Sequence, residues 1–222
     1  MVEFAEARRM MVDGQIRTND VTDPRILATM LEVPRERFVP RGRQQIAYLD
    51  RDIEVSTAEG RTGRYLVKPM VLARMLQVAG LSEDALVLDV GCATGYGSAV
   101  MARLARAVVA LDDDPGLLTQ AEHTLAELGI GNVTVRCGPL PQGAPAEGPY
   151  DVIVLEGAAE IVPKILLAQL RDGGRLVGVC GSQPARKITV YRANDGHVTA
   201  QQVFDASAPI LPGFAKPLEF VF

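Results

Sequence analysis

The chain has 222 residues, of which 48% are hydrophobic and 23% charged, and a formal net charge of −4. That length suits one substantial domain with a sizeable core. The acidic balance excludes a broad nucleic-acid footprint, which needs a basic face.

Three further exclusions follow. Cys92, Cys137 and Cys180 are widely spaced and show no CxxC pairing, so neither a disulfide framework nor a metal cluster is expected, and the compartment should be reducing. No apolar run reaches the roughly 18 residues of a membrane span, and Met1 to Met11 is amphipathic rather than leader-like. A cytoplasmic protein with no membrane partner is the expectation. Arg35, Arg37, Arg41 and Arg43 form a local basic run that reads as a solvated surface around a turn.

In chain order, Phe4 to Ile16 has helical spacing, with Phe4, Ala7, Met10 and Met11 on one face. Asp23-Pro24 is a helix start, a capping acid followed by proline at the first helical position, and Ile26, Leu27 and Met30 share a face up to Glu32. Val33 to Pro40 is irregular, and Tyr48 to Arg64 is polar and broken by Gly60 and Gly63, giving turns or short strands. Pro69 opens a helix through Val78, closed by Gly80.

The rhythm then becomes regular. Strand Ala85–Val90 leads to a helix over Tyr96–Leu104, then strand Ala107–Leu111 and an acidic turn, Asp112-Asp113-Asp114-Pro115. Helix Gly116–Leu128 and strand Val133–Cys137 follow, then a Pro/Gly-rich loop over Gly138–Pro149. Strand Asp151–Leu155, helix Val162–Leu170, a sharp turn at Asp172-Gly173-Gly174 and strand Arg175–Cys180 complete the alternation. Ile188–Arg192, Val198–Phe204 and Leu218–Phe222 alternate like antiparallel or edge strands. The fold class is therefore α/β: a doubly wound, mostly parallel sheet of Rossmann-like type, with a C-terminal antiparallel hairpin and an N-terminal helical lid. Residues 1–222 read as one domain, with a lid or substrate-side segment (1–68), a cofactor-binding core (69–182) and a C-terminal β segment (183–222).

The chemistry concentrates in Val87-Leu88-Asp89-Val90-Gly91-Cys92-Ala93-Thr94-Gly95-Tyr96-Gly97, a strand running into a glycine-rich turn and a helix. Its spacing is G-x-x-x-G-x-G, not the G-x-G-x-x-G that cradles a pyrophosphate. Asp89 would repel a pyrophosphate and accept hydrogen bonds from an ammonium group, or it ties down neighbouring backbone N–H groups. Asp112 ends the next strand, 23 residues on, where a carboxylate can accept both ribose hydroxyls of an adenosine. Of its neighbours Asp113 and Asp114, at least one is a helix cap. Two strand-end acids around a phosphate-free loop favour S-adenosylmethionine over NAD. His123 and His197 read as surface residues and Cys92 as a small space-filler, so no acid-base or nucleophilic group stands out. A sulfonium methyl is already activated and a carboxylate acceptor, with a pKa of about 4, is already ionised at neutral pH. Such a transfer needs mainly alignment and exclusion of water.

The chain resembles the protein-L-isoaspartate O-methyltransferases. Val33-Pro34-Arg35-Glu36-Arg37-Phe38-Val39-Pro40 is similar to the family's VPRE-FVP segment, and Ala47-Tyr48-Leu49-Asp50 to the AY-D that follows. Val87–Tyr96 is similar to motif I, and Leu170–Val177 to the LKPGGRLV motif. The resemblance implies that Asp89, Gly91, Cys92, Ala93, Gly95 and Tyr96 line the methionine end of S-adenosylmethionine. By the same resemblance Asp112 serves the ribose, Gly138 and Pro139 lie near the adenine, and Tyr65, Leu66, Asp113 and Glu156 complete the cofactor set. The implied reaction is methyl esterification of the free carboxylate of an isoaspartyl residue in a damaged protein or peptide.

Three departures bear on that reading. Where the family reads G-Q-T-I-S-Q-P, this chain reads Gly63-Arg64-Tyr65-Leu66-Val67-Lys68-Pro69, so the serine near the acceptor becomes Val67, which cannot hydrogen-bond. The middle glycine of the loop is Ala93, and the family's GDG appears as Gly138-Pro139-Leu140. Lys68 and Arg64 are either surface charges or cations for an acceptor carboxylate. Two alternatives remain: a different small-molecule or protein acceptor, and a cofactor-binding protein without transfer activity.

Overall fold

A computed structural model describes residues 3–56, 63–182 and 185–217. Helix α1 (Phe4–Met11) does not continue as a regular helix to Ile16. Val12–Ile16 widens into a π-helical turn around Gly14, then tightens into a 3₁₀ turn over Arg17–Asn19 that Asp20 ends at φ +59°. Gly14 adds no side-chain packing there, and glycine is a poor helix former. Helix α2 (Pro24–Glu32) starts as its sequence dictates: Asp23 Oδ1 accepts from the Arg25 N–H at 2.9 Å, and Ile26, Leu27 and Met30 face inward.

Strands β1 (Ile53–Glu54) and β2 (Tyr65–Leu66) form a two-residue antiparallel pair. It delivers the chain to helix α3 (Pro69–Ala79), which Gly80 closes at φ +58°. The start of α3 is capped from a distance. Asp52 accepts from the Lys68 N–H at 2.9 Å and Asp50 from the Met70 N–H at 3.1 Å.

The central sheet is built from β3 (Leu86–Val90), β4 (Ala107–Asp112), β5 (Val133–Cys137), β6 (Tyr150–Ala159), β7 (Leu170–Cys180), β8 (Lys187–Asn194) and β9 (His197–Asp205). Its seven strands run in the order β5-β4-β3-β6-β7-β8-β9. The first five in that order pair in parallel; β8 and β9 add antiparallel, as the alternating tail requires. The reversal of strand order falls between β3 and β6, the switch point at which α/β sheets bind ligands. Leu218–Phe222, read as a further strand, lies outside the described residues.

Helix α4 (Tyr96–Ala102) follows β3, helix α5 (Pro115–Glu127) follows β4, and α6 (Lys164–Leu167) follows β6. Asp114 is the predicted cap, with Oδ1 accepting from the Gly116 N–H at 2.8 Å. The longer helix expected over Val162–Leu170 is a single turn. Gln169 takes the backbone elsewhere: its amide accepts from the Ala144 N–H at 3.0 Å and donates to the carbonyls of Gln142 (2.7 Å) and Ile165 (3.1 Å). Leu170 already pairs with Tyr150, and Arg171–Gly174 is a bulge within β7 rather than a turn before it. Gly173 sits there at φ +75°.

Alternation along the strands separates two cores. Val87, Val152, Val154 and Val177 face one side with α3, α4 and the N-terminal segments; Leu88, Val90, Ile153, Leu155 and Leu176 face the other with Leu166, Leu211 and Phe214. The N-terminal third is therefore more than a lid. Met11, Ile16, Met30 and Phe38 are built into the larger core.

Candidate active site

β3 ends beside β6 with Val90 in register with Leu155, so Gly91, just past β3, comes level with Glu156 of β6. Gly91 turns at φ +83° and donates its N–H to the Leu111 carbonyl at 2.8 Å. A Cβ on Gly91 would lie 2.7 Å from Leu211 Cδ2 and 3.1 Å from Arg64 Nη2, and at this φ a side chain would be strained whatever the space, so the position suits glycine. Gly95 turns at φ +88° and packs against Ala121 of α5. Between them Ala93, fully buried, holds φ +51°, where a side chain is strained. Its N–H donates to Asp112 Oδ2 at 2.8 Å. Thr94 Oγ1 donates to the Phe38 carbonyl at 2.5 Å, tying the turn to the VPRE-FVP segment.

Asp89, Asp112 and Glu156 are all buried. Asp89 Oδ2 accepts from Ser98 Oγ on α4. Asp89 Oδ1 and Glu156 Oε1 have no hydrogen-bonding partner among the described residues, and the two carboxyl groups lie close enough to interact. Two carboxyl groups can bond only by sharing a proton. Burial, the largest cause, accordingly pushes Asp89 up to about 7, and burial together with Asp89 raises Glu156 well above the usual carboxylate range. Glu156 also fills a notch in the helix beside it: a Cβ on Gly97 would overlap the Glu156 carboxyl group.

Asp112 is held differently. Oδ1 accepts from the N–H groups of Asp113 (2.9 Å) and Asp114 (3.1 Å), Oδ2 from that of Ala93, and Arg64 closes the remaining side as an ion pair. Arg64 is only 4% exposed, so it is not a surface charge. Gly138 donates its N–H to the Asp112 carbonyl at 3.0 Å, placing Gly138-Pro139 beside the same strand end.

Arg35 corrects a second expectation. It is not part of a solvated basic run but fully buried, with Nε on the Ala47 carbonyl and Nη2 on the Val67 carbonyl, both at 2.9 Å. Its guanidinium lies 4.5 Å from the Tyr96 ring centre, and Tyr96 is itself fully buried against Phe38. Arg37, Arg41 and Arg43 are exposed as read. The Val67 side chain packs into the larger core, and Leu66 is buried beside it, whereas Tyr65 is half-buried. Lys68 is partly exposed, and its Nζ donates to Ser207 Oγ at 3.0 Å. His123 and His197 are exposed. Cys92 is fully buried in the turn and its thiol is pushed well above its ordinary value, which makes it inert.

The sequence-predicted set thus converges on the C-terminal edge of β3, β4 and β6: Asp89, Gly91, Cys92, Ala93, Gly95, Tyr96, Asp112, Asp113, Gly138, Pro139 and Glu156. Sequence reasoning did not anticipate Ser98, Leu211 or the inward Arg35. Ser98 lies nine residues beyond Asp89, on the inner face of α4. Leu211 comes from a segment that folds back on β6, where Ala158 donates its N–H to the Pro209 carbonyl at 2.7 Å and Leu211 donates to the Ala158 carbonyl at 2.9 Å.

The family model for protein-L-isoaspartate(D-aspartate) O-methyltransferase matches residues 6–207. The chain belongs to this family. It is therefore an S-adenosylmethionine-dependent methyltransferase, with the Rossmann-like methyltransferase fold. The chain is 41% identical over 182 residues to a protein-L-isoaspartate O-methyltransferase of Synechococcus sp. (strain JA-2-3B'a(2-13)), covering 82% of this chain and 72% of that one. It is 36% identical to the Gloeobacter violaceus protein of the same name, over 87% of this chain and 93% of that one. A solved protein-L-isoaspartate O-methyltransferase superposes with a TM-score of 0.82 at 25% identity, covering 93% of this chain and 66% of that one. A Plasmodium falciparum structure in complex with S-adenosyl-L-homocysteine shares the fold with a TM-score of 0.75 at 19% identity, over 91% and 96% of the two chains. Among the described residues, no helix is long and apolar enough to cross a membrane.

Proposed function

We propose that the chain acts as one domain that methylates the free carboxylate of isoaspartyl residues in damaged proteins or peptides, in the cytoplasm, using the turn between β3 and α4 to hold S-adenosylmethionine. The observation that carries this reading is the cradle itself: a phosphate-free glycine turn at the switch point, flanked by buried acids on three adjacent strand ends. The residues suit the cofactor. The inward-facing oxygens of Asp89 and Glu156 match its ammonium group, Asp112 its ribose, Gly138-Pro139 its adenine, and Tyr65-Leu66 with Ala93 and Gly95 its flanks. The sulfonium supplies an already activated methyl group. The protein's work is then to bind, to align and to exclude water. Arg35 positions the acceptor side, because its bond to the Val67 carbonyl fixes the backbone where relatives carry a serine.

Val67 favours a second reading, in which the cofactor is the same and the acceptor differs. Its side chain is committed to the core and offers no hydrogen bond to a carboxylate. Calorimetry with S-adenosylmethionine and with NAD tests the cofactor, and tighter binding of NAD would overturn the reading. Methyl transfer to an isoaspartyl peptide, compared with its aspartyl twin, tests the acceptor. Transfer to neither, with binding intact, moves the assignment to another acceptor.

A further inference from the structure

Asp112 is saturated from within the chain. Its two oxygens take three backbone N–H groups, from Ala93, Asp113 and Asp114 at 2.8, 2.9 and 3.1 Å. They also take two guanidinium contacts, Arg64 Nε to Oδ1 at 3.3 Å and Nη2 to Oδ2 at 2.5 Å. A carboxylate offers about four acceptor positions, so five donors leave none for a ligand. Two adjacent donors on one carboxylate are also what the 2′- and 3′-hydroxyls of a ribose present. The guanidinium lies over the glycine turn, 3.1 Å from where a Gly91 Cβ would be.

We propose that Arg64 is an intramolecular competitor for the ribose of the cofactor: a latch on Asp112 that the nucleoside must displace in order to bind. The proposal rests on the reading of the cradle as an S-adenosylmethionine site. Release needs no movement of the strand pair. The Arg64 carbonyl accepts from the Val55 N–H at 2.8 Å and its N–H donates to Ser56 Oγ at 3.2 Å, so the backbone stays while the side chain rotates. A second carboxylate waits nearby: Asp113 Oδ1 lies 3.9 Å from Arg64 Nε, on a side chain 39% exposed. The guanidinium passes from a buried partner to one near the surface, and keeps a counter-charge throughout. Apparent affinity is lowered by the fraction of molecules in which the latch is closed. Selectivity rises in step, because a ligand without the diol has nothing to exchange for the ion pair.

The test is calorimetric titration of S-adenosylhomocysteine into the full-length wild type and an Arg64→Met variant, which keeps much of the buried length and removes every donor. The variant should bind at least about tenfold tighter, melt at a lower temperature when ligand-free, and show a larger ligand-induced rise in Tm. Folded Arg64→Met that binds no more tightly than wild type, while wild type binds, overturns the latch alone. Binding by neither protein overturns the cofactor reading and the latch with it. A measurement on wild type stands even if the variant fails to fold. The Arg64 Nε–H NMR signal, assigned and slow to exchange in the free protein, should lose that protection at saturation with S-adenosylhomocysteine. Unchanged protection overturns the latch.

Discussion

Asp89 and Asp112 end adjacent parallel strands, are equally buried, and face the same glycine turn, yet they meet the cost of burial by opposite means. Around Asp112 the chain supplies donors: three backbone N–H groups and a guanidinium. Around Asp89 it supplies one hydroxyl, from Ser98, and then a second acid, Glu156. A proton takes the place of the missing donors there. The cluster of Asp89, Asp112 and Glu156 against Arg35 and Arg64 carries three acids and two bases, and the shared proton removes the excess charge. One end of the cradle is therefore closed by a cation of the chain's own, and on the proposed reading the other takes the ammonium group of the cofactor.

Removing the charge at the donor-rich end should have the largest effect. Asp112→Asn takes from Arg64 its buried counter-charge, leaving only the more distant and part-exposed Asp113, and turns an amide toward N–H donors. Breaking a buried pair from one side costs about 3–5 kcal/mol. Urea unfolding should show a loss of that size. A loss below about 1 kcal/mol would mean that the ion pair is not formed in solution.

At the proton-sharing end the signature is pH dependence. Asp89 holds its proton up to about pH 7 and Glu156 holds one well above the usual carboxylate range, whereas unfolded carboxyl groups release theirs near pH 4. Between these values the folded state binds more protons than the unfolded state, so stability falls as pH rises from about 4 to about 7. Each such proton changes the folding equilibrium by up to about tenfold per pH unit. Glu156→Gln gives Asp89 a permanent donor and removes the like charge. Its stability should gain steadily on that of wild type as pH rises through this window. Parallel curves for the two proteins would place the shared proton elsewhere.

These two ends also differ in how far they could be read from the residues. An acid that closes an apolar run is a visible anomaly, and Asp89, Asp112 and Glu156 share it, after Val87-Leu88, Val108-Val109-Ala110-Leu111 and Val152-Ile153-Val154-Leu155. The sheet was legible for the same reason, since strands buried on both faces read as continuous apolar runs. The partners of the acids were not. Arg64 sits in a polar, glycine-broken stretch that reads as solvated loop, and Arg35 in a run of arginines; only tertiary packing turns these two inward. Gly97 looked like one more turn glycine, although its missing side chain is the space that Glu156 occupies. The one-turn α6 was hidden because an apolar run before a strand does not show that Gln169 has already claimed the backbone.

The acceptor side lies between the two ends, and Val67 tests its commitment to the core. Val67→Ser removes a methyl group and places a hydroxyl among apolar neighbours, at a cost of about 2 kcal/mol. If the backbone set by Arg35 is the family's own, the same variant should raise the rate on an isoaspartyl peptide despite its lower Tm. A variant both less stable and no faster would show that the acceptor carboxylate is held by groups other than this position.

The smallest effect is expected at the residue that joins the two ends. Ala93 donates its N–H to Asp112 while holding φ +51°, a conformation that costs an L-residue about 1–2 kcal/mol relative to its ordinary basins. Glycine adopts it without that penalty but loses more backbone entropy on folding, so the two terms partly offset. Ala93→Gly should therefore stabilise the ligand-free protein by about 0.5–1 kcal/mol, visible as a small rise in Tm. The gain depends on the Asp112 bond, which pins the turn in the left-handed region. In the Asp112→Asn background the turn is free to relax, and Ala93→Gly should lose most of its benefit. Equal gains in both backgrounds would mean that the turn keeps its strain without help from Asp112, and that the two ends of the cradle are built independently.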